Sequence, residues 1–379
     1  MTNILNIVTE KTFNEALDTR NAILAVLASN NGGISVKSWE DVQSIVRLGL
    51  ADKIFSIGDQ LECNKGDTTL VWDIIGFDHD IPVDSQFKHS MTIQLHDVFP
   101  VGMQFDANEA MFYCETELAA GTYNFTLPKI ELNYGGGKTY QFTLINSVPA
   151  GGQILFPWSK NKQASTVLIS TYESQFIKTA LESVGVTEGA EGTALENIGE
   201  CNYVYRFMYG SNRYSTSAIR QFLNSKGEAG TVWTPQTKFD RPPSWSESTP
   251  GFLSDIDEDF LSVVGMVTKR TALLQVDGGG YEDTAETFFI PSRSEVYAGV
   301  NNKTEEGTPY AYYSVNSVLT SAGASSDSNR IKNKTNGSSC VWWLRSPDNI
   351  YGQSIGASGA MHVGSVTSQY YVSPACNII

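Results

Sequence analysis

The 379-residue sequence is short of charge: only 18% of its residues are Asp, Glu, Lys or Arg, and 41 acidic residues outnumber 26 basic ones. The net charge of -15 excludes a partner held mainly through phosphates, because such binding runs on basic side chains that displace counterions. Nucleic acid is not an expected ligand. Cysteine is scarce as well. Cys63, Cys114, Cys201, Cys340 and Cys376 are odd in number, far apart and without C-x-x-C or Cys/His spacing, which argues against zinc and leaves buried free thiols as the expectation. No apolar run approaches the roughly 20 residues that a bilayer-spanning helix needs, so no membrane insertion is expected. The opening MTNILNIVTEKTF lacks the basic start and continuous apolar stretch of a cleaved signal, and the expectation is synthesis in a cytoplasm. There is no P-loop and no G-x-G-x-x-G; GGG at 135–137 and at 278–280 reads as turn material. No cofactor and no metal are expected.

What is present is glycine (33), tyrosine (17) and phenylalanine (18), the composition of a turn-rich, β-heavy globular protein with neutral polar surface. Helical periodicity is clearest in residues 1–53, in two segments split by NNGG at 30–33. In the second, Ser38 is placed to cap a helix whose third residue is Asp41, with Trp39, Val42, Ile45, Val46 and Leu50 on its apolar side. So short a helix pair is marginal alone and must pack on the main body, a second copy or a larger particle. From Ile54 the texture turns to strands, two of them around a KGD turn and another in HSMTIQLHDVF. Hairpins with turns at YGGGK (134–138) and PAGG (149–152) make residues near 105–200 a β-rich module of its own, and 183–200 reads as a surface loop. Helices are expected over 216–227, with Ile219, Phe222 and Leu223 on one face, and over 255–270, begun by acids and closed by Lys269 and Arg270. FFIPSRSEVYAG reads as strand and turn. CVWWLRSP, bulky on both faces, reads as a central strand.

Chemical motifs are few. GQSIG at 352–356 has the G-x-S-x-G spacing of a hydrolase nucleophile elbow, but an elbow needs a helix after it, and the acid and histidine must follow the serine in chain order. No Asp, Glu, Lys or Arg lies between Asn349 and Ile379, so Ser354 has no acid partner downstream and a catalytic role is not expected. FDHD at 77–80 offers a carboxylate–imidazole pair, with a solvated turn as the plainer account. DIDED at 255–259 alternates acids like a calcium loop but lacks its glycine and its final glutamate. Uncharged Ser, Gly, Tyr and Asn dominate the stretch after Asp348. These are the residue types of adaptable binding surfaces, where Tyr supplies contact area and small polar residues supply hydrogen bonds; ordinary Gly/Ser-rich turns are the plain alternative.

CVWWLRSP, a permissive stretch and then YVSPACNI resemble the C-terminal signature of variable proteins of diversity-generating retroelements. Upstream, FSIGDQLECNKGDTTLVWDIIGFD, SAIRQFLNS and FDRPPSW…GFLSDIDEDFLSVV…FFIPSRSEVY resemble the remainder of that domain in the same order. The resemblance covers most of 54–104 and 202–379. It implies an α+β fold: a C-type-lectin-like domain over 54–379, interrupted by a β-rich insertion at about 105–200 and preceded by an N-terminal helical assembly or attachment segment over 1–53. Its variable region is about 342–379. Trp342, Trp343, Leu344, Arg345, Ser346, Pro347, Gly364, Val372, Pro374 and Cys376 match the fixed framework. The ligand-binding, diversified positions it implies are Asp348, Asn349, Ile350, Tyr351, Ser354, Ile355, Ala357, Ser358, His362, Val363, Ser365, Ser368, Tyr370 and Tyr371. Gln353, Met361 and Gln369 do not derive from an Asn codon by changes at adenine and are fixed or differently encoded. The implied function is non-enzymatic: a phage or prophage receptor-binding, tropism-determining protein, located in the virion or in the bacterial cytoplasm before assembly. Its partners are a host-surface protein or glycan, other virion proteins and copies of itself, a trimer being the form in phage members. Tyr351, Tyr370 and Tyr371 are the expected aromatic anchors. Calcium is left open, as no acidic cluster lies near the proposed site. Two rival readings are a fixed-specificity surface lectin or adhesin and an enzyme of the formylglycine-generating type, which would need reactive Cys340 or Cys376.

Overall fold

The computed structural model describes residues 36–109, 112–126, 139–155, 168–170, 186–189, 191–195, 206, 210–237, 239–297, 304–314, 328–349 and 351–379. The first expected helix, YGGGK, Cys201 and Ile350 lie outside the described residues. Few helices and many antiparallel strands make the fold mixed α+β.

The main sheet joins both ends of the described chain. Strands β1 (Gln60–Lys65), β2 (Thr68–Phe77) and β3 (Met91–Leu95) run antiparallel in sequence order, and the C-terminal strand β18 (Ala375–Ile378) pairs with β3. The far side of β18 is taken by β11 (Val264–Gly265) and β14 (Phe288–Phe289). Every residue of β3 and β18 is buried, as expected of strands flanked on both edges and covered on both faces.

Helix α1 (Trp39–Arg47) forms where the spacing predicts it, with Ser38 and Asp41 closing a capping box in which each side chain accepts a bond from the other's backbone N–H. Its buried face of Trp39, Val42, Ile45 and Val46 belongs to the largest hydrophobic cluster, Trp39 lying 4.6 Å from the Phe260 ring. This helix packs on the main body. Helix α2 (Ala51–Ile54) follows it. Helix α3 (Ala218–Leu223) is capped by Ser217 and buries Ile219, Phe222 and Leu223, the three residues its periodicity selects.

The helix expected over 255–270 is corrected. Only α4 (Glu258–Val263) is helical; Val264 onward becomes β11 and then β12 (Val267–Ala272), paired with β13 (Tyr281–Glu286). β-Branched Val264, Val267, Thr268 and Thr271 favour the extended form. Gly265 also lies so close to Ile379 that a Cβ there would sit 2.7 Å from its side chain. Lys269 and Arg270 therefore decorate a strand, with consequences below. FFIPSRSEVYAG is corrected in part: after β14, Ser292 and Glu295 form a second capping box that starts helix α5 (Arg293–Val296). A last short helix, α6, spans Ala311–Ser314.

Within 105–200, strands β4 (Phe112–Tyr113), β7 (Gln153–Leu155) and β8 (Leu168–Ser170) form one small sheet. A second contains β5 (Gly121–Thr126), β6 (Thr139–Leu144), β9 (Val186–Glu188) and β10 (Thr193–Ala194). Among the described residues these strands pair only with one another, and β9 and β10 replace part of the surface loop expected over 183–200. Among the described residues no helix is long and apolar enough to cross a membrane. Cys63, Cys114, Cys340 and Cys376 are buried free thiols, as their spacing implied.

One buried cation makes a test of the core. Lys332 is 1% exposed and donates to the Leu95 carbonyl at 2.6 Å, and burial pushes its ammonium down from 10.5 to about 8. Between those two values the unfolded chain keeps a proton that the native lysine has released, so the lysine makes native stability rise with pH across that window. Lys332→Met should abolish the rise, although it also takes from the buried Asp73 carboxylate the cation that lies 3.8 Å from it. The Leu95 carbonyl still receives Ser373 Oγ at 2.8 Å, and Asp73 still receives Tyr312 and Gln60. Urea midpoints for both proteins across pH 7 to 10.5 check this, and parallel curves would refute it.

Candidate functional site

The region after Cys340 folds into a three-stranded antiparallel sheet of β15 (Trp342–Asp348), β16 (Tyr351–Ile355) and β17 (Met361–Gly364). Successive strand side chains point to opposite faces, and the adjacent tryptophans exploit this. Trp342 enters one hydrophobic cluster and Trp343 the other, so β15 is buried on both faces. Each indole N–H finds a carbonyl: Trp342 Nε1 donates to Arg330 O and Trp343 Nε1 to Met103 O, both at 2.9 Å. The pairing with β16 shifts register between Trp343 and Pro347, consistent with a proline that has no N–H to give a ladder.

Arg345, inside that irregular stretch, reaches a buried ionic cluster. It is fully buried and grips Glu295 with two bonds, at 2.6 and 2.8 Å. Glu295 also meets Lys269 Nζ at 2.7 Å, and Lys269 donates to Asp80 at 2.6 Å and to the Tyr310 hydroxyl at 2.8 Å. Tyr310 in turn donates to Asp80 at 2.9 Å, and Ser346 Oγ donates to Glu306 at 2.7 Å. Burial pushes both carboxyl groups up, but Lys269 at Asp80, and Arg345 with Lys269 at Glu295, outweigh it and hold both below their usual range. The FDHD turn is thus not simply solvated. Asp80 is buried and His79 half-buried against Tyr310, ring centres 4.1 Å apart, while Asp78 is free enough to meet His89 at 3.0 Å. The sequence carried no spacing signal for this cluster, since its members lie as far apart as Asp80 and Arg345; the one legible part was the Ser292-x-x-Glu295 capping box.

A cleft of about 330 Å3 opens beside the cluster, lined by His79, Asp80, Lys269, Glu295 and Glu306 among others. His79, Asp80 and Glu295 bring ligand-type atoms within 4.8 Å of one another. They do not fit a metal ion as they stand, because the Lys269 ammonium already rests against both carboxylates. Burial also pushes the His79 imidazole down, so this ring adds no positive charge near neutrality.

The ten expected framework residues are all buried. Gly364 shows why one of them resists a side chain: a Cβ there would lie 2.5 Å from the Tyr370 ring. The expected ligand-facing positions divide. Asn349, Ala357, Ser358, His362 and Val363 are exposed, Val363 by 41%. Asp348, Tyr351, Ser365, Ser368, Tyr370 and Tyr371 are half-buried. Ile350 lies outside the described residues. The exposure expected of Ser354 and Ile355 is corrected, because both are fully buried. Tyr370 and Tyr371 serve the scaffold as well: Tyr370 lies 4.6 Å from the Trp343 ring, and Lys334 Nζ sits 5.0 Å over the Tyr371 ring. The turns around Asn349 and Ser358 lie at opposite ends of β16, roughly 16 Å apart for five strand residues.

Ser354 sits mid-strand, paired with Trp343 on one side and His362 on the other, and its Oγ lies 3.0 Å from His362 Nδ1. That serine–histidine contact has neither the strand-to-helix turn of an elbow nor a carboxylate among its hydrogen bonds. Ser354→Ala should cost about 1 kcal/mol or less, because the freed His362 nitrogen turns to water. Ser354→Tyr should cost about 1–3 kcal/mol by overpacking beside Trp343. Thermal melts of the pair check this; equal tolerance of both would contradict the burial. Cys340 and Cys376 are buried too, and burial pushes the Cys340 thiol up to about 11 and Cys376 upward as well.

Residues 191–379 match the model of a family described as a domain of unknown function (DUF6273). The match takes in the whole candidate surface but not β1, β2 or β3, which complete the main sheet around β18. No curated protein and no solved structure matches the chain.

Proposed function

We propose that the chain is a non-enzymatic ligand-binding protein: a phage or prophage receptor-binding protein whose C-type-lectin-like domain presents a retroelement-diversified surface at 348–371. The observation that carries this reading is the contrast within one small sheet. Its strand β15 is locked between two hydrophobic clusters, while small, uncharged or aromatic side chains stand exposed at both ends of β16 and along β17. Folding energy comes from beneath and recognition from above, which is the division a rewritable surface requires. With Ser354 and Ile355 inside, the ligand surface consists of Asn349, Tyr351, Ala357, Ser358, His362, Val363 and the open edges of Tyr370 and Tyr371; His362 and Val363, successive residues of edge strand β17, point to opposite faces, so the surface wraps that edge. An uncharged face suits a host-surface protein or glycan recognised by shape and hydrogen bonds, with little dependence on salt. Self-association into a homo-oligomer would multiply weak single-site affinity.

Exchanging Asn349, Ala357, Ser358, His362 and Val363 together for other small polar or aromatic residues should abolish adsorption to the cognate host cell. Thermal stability should change by no more than about 0.5 kcal/mol per position, except at Asn349, where the left-handed φ of 48° adds about 1–2 kcal/mol for most replacements. Retained adsorption would place the ligand site elsewhere. A reverse transcriptase and a near-identical template repeat differing at adenines should flank the gene; a fixed-specificity lectin predicts neither.

A further inference from the structure

We infer that Asn212, Arg330 and Gln104 are positioning residues for the 348–371 surface, each gripping one of its turns through main-chain carbonyls. Asn212, 2% exposed, lies outside the sheet, yet its Nδ2 donates to the carbonyls of Asn349 at 3.1 Å and Tyr351 at 2.8 Å, spanning the β15–β16 turn. Fully buried Arg330 approaches the other end of β16. Its Nε donates to the Gly359 carbonyl at 2.9 Å, and its guanidinium stacks 4.7 Å over the Tyr297 ring. Gln104 serves the return loop: its Nε2 donates to the Thr367 carbonyl at 3.1 Å while its Oε1 accepts from Ser244 N at 2.7 Å. Main-chain bonds carry the same logic to the end of that loop, where Tyr370 and Met103 exchange two bonds, at 2.6 and 3.2 Å.

The common feature is the acceptor. A backbone carbonyl is present whatever residue occupies the position, so these donors hold the turns without reading the side chains displayed there. Asn349 shows the need, because its φ of 48° is left-handed and disfavoured for most residues that would replace it. Two bonds from one buried amide keep that turn in place against the strain. Arg330 adds a charged donor out of reach of bulk solvent. Gln104 ties the loop to Ser244, which also accepts a bond from Gln369 at 3.3 Å.

This extends the ligand-surface reading, and its test uses no ligand, so the two fail separately. The test is amide hydrogen exchange in the full chain, comparing wild type with variants that keep size but lose one donor. Asn212→Asp should speed exchange about tenfold at Asn349, Tyr351 and Gly352 and leave β17 unchanged. Gln104→Glu keeps the acceptor for Ser244 and should loosen only 366–369. Arg330→Lys keeps the charge but not the Nε donor and should loosen 357–360. In the wild-type framework, Tyr351→Ser and Ser358→Tyr should leave exchange in all three turns within about twofold, since the grip does not involve those side chains. Unchanged exchange in the donor variants would overturn the inference. So would loosening spread evenly over the whole protein, or loss of protection in Tyr351→Ser or Ser358→Tyr.

Discussion

Glu295→Ala is expected to destabilise the protein by about 3–5 kcal/mol, the range for removing one partner of a buried ion pair. The carboxylate is 2% exposed and is the shared partner of two buried cations. Its removal strips Arg345 of both carboxylate bonds, takes one of two acids from Lys269 and leaves the Ser292 N–H without its 2.8 Å acceptor. Asp80 still meets Lys269, but among the described residues no second carboxylate is bonded to Arg345. Urea unfolding measures the loss, and a change below about 1 kcal/mol would show that water enters the cluster when the acid goes. The acid limb of the stability curve should change with it. Arg345 and Lys269 overcome the burial that would raise the Glu295 carboxyl, and hold it well below its ordinary value of 4.5. The contribution is therefore complete above about 4.5 and is lost as the pH falls toward the native value, because there the unfolded chain binds a proton that the native carboxylate refuses. Glu295→Gln should be less sensitive to acid than wild type as well as less stable at pH 7.

Trp343→Ala should cost a similar ~3–5 kcal/mol, for a different reason. The side chain is fully buried, with Phe105 at 5.7 Å and Tyr370 at 4.6 Å between ring centres, and its N–H satisfies the Met103 carbonyl. Deletion leaves a large cavity and an unpaired acceptor beneath the candidate surface. Trp342→Ala should behave alike in the other cluster, where the Arg330 carbonyl loses its donor. The denaturant midpoint falls in both variants, and adsorption is lost with the fold. That outcome contrasts with the exposed exchange at Asn349, Ala357, Ser358, His362 and Val363, which should abolish adsorption with the fold intact. If Trp343→Ala melted like wild type, the division between scaffold and surface would be wrong.

Local physics was legible wherever short-range signals agreed. Ser38 and Asp41 announce α1, Ile219, Phe222 and Leu223 announce the buried side of α3, and the CVWWLRSP run announces a strand with no solvent face. It failed where strand pairing outvotes the immediate neighbours. Lys269 and Arg270 resemble a helix C-terminus until β13 offers a ladder, and once on a strand they separate, Lys269 inward to Asp80 and Arg270 outward to Asp283 at 2.8 Å. Ser354 and Ile355 share the composition of their exposed neighbours, and only pairing on both sides of β16 encloses them.

By itself, then, the sequence determined which segments are apolar, which stretch is uncharged, and an acidic balance that argues against partners held mainly through phosphates. Those properties reside in single residues and their near neighbours. Only the tertiary structure decided which permissive residues face outward, how Asp80, Lys269, Glu295 and Arg345 neutralise one another, and which framework amides hold the turns. Each of those depends on groups that only folding brings together, from Arg330 and Gly359, 29 residues apart, to Asp80 and Lys269, 189 apart, and no periodicity records such a meeting.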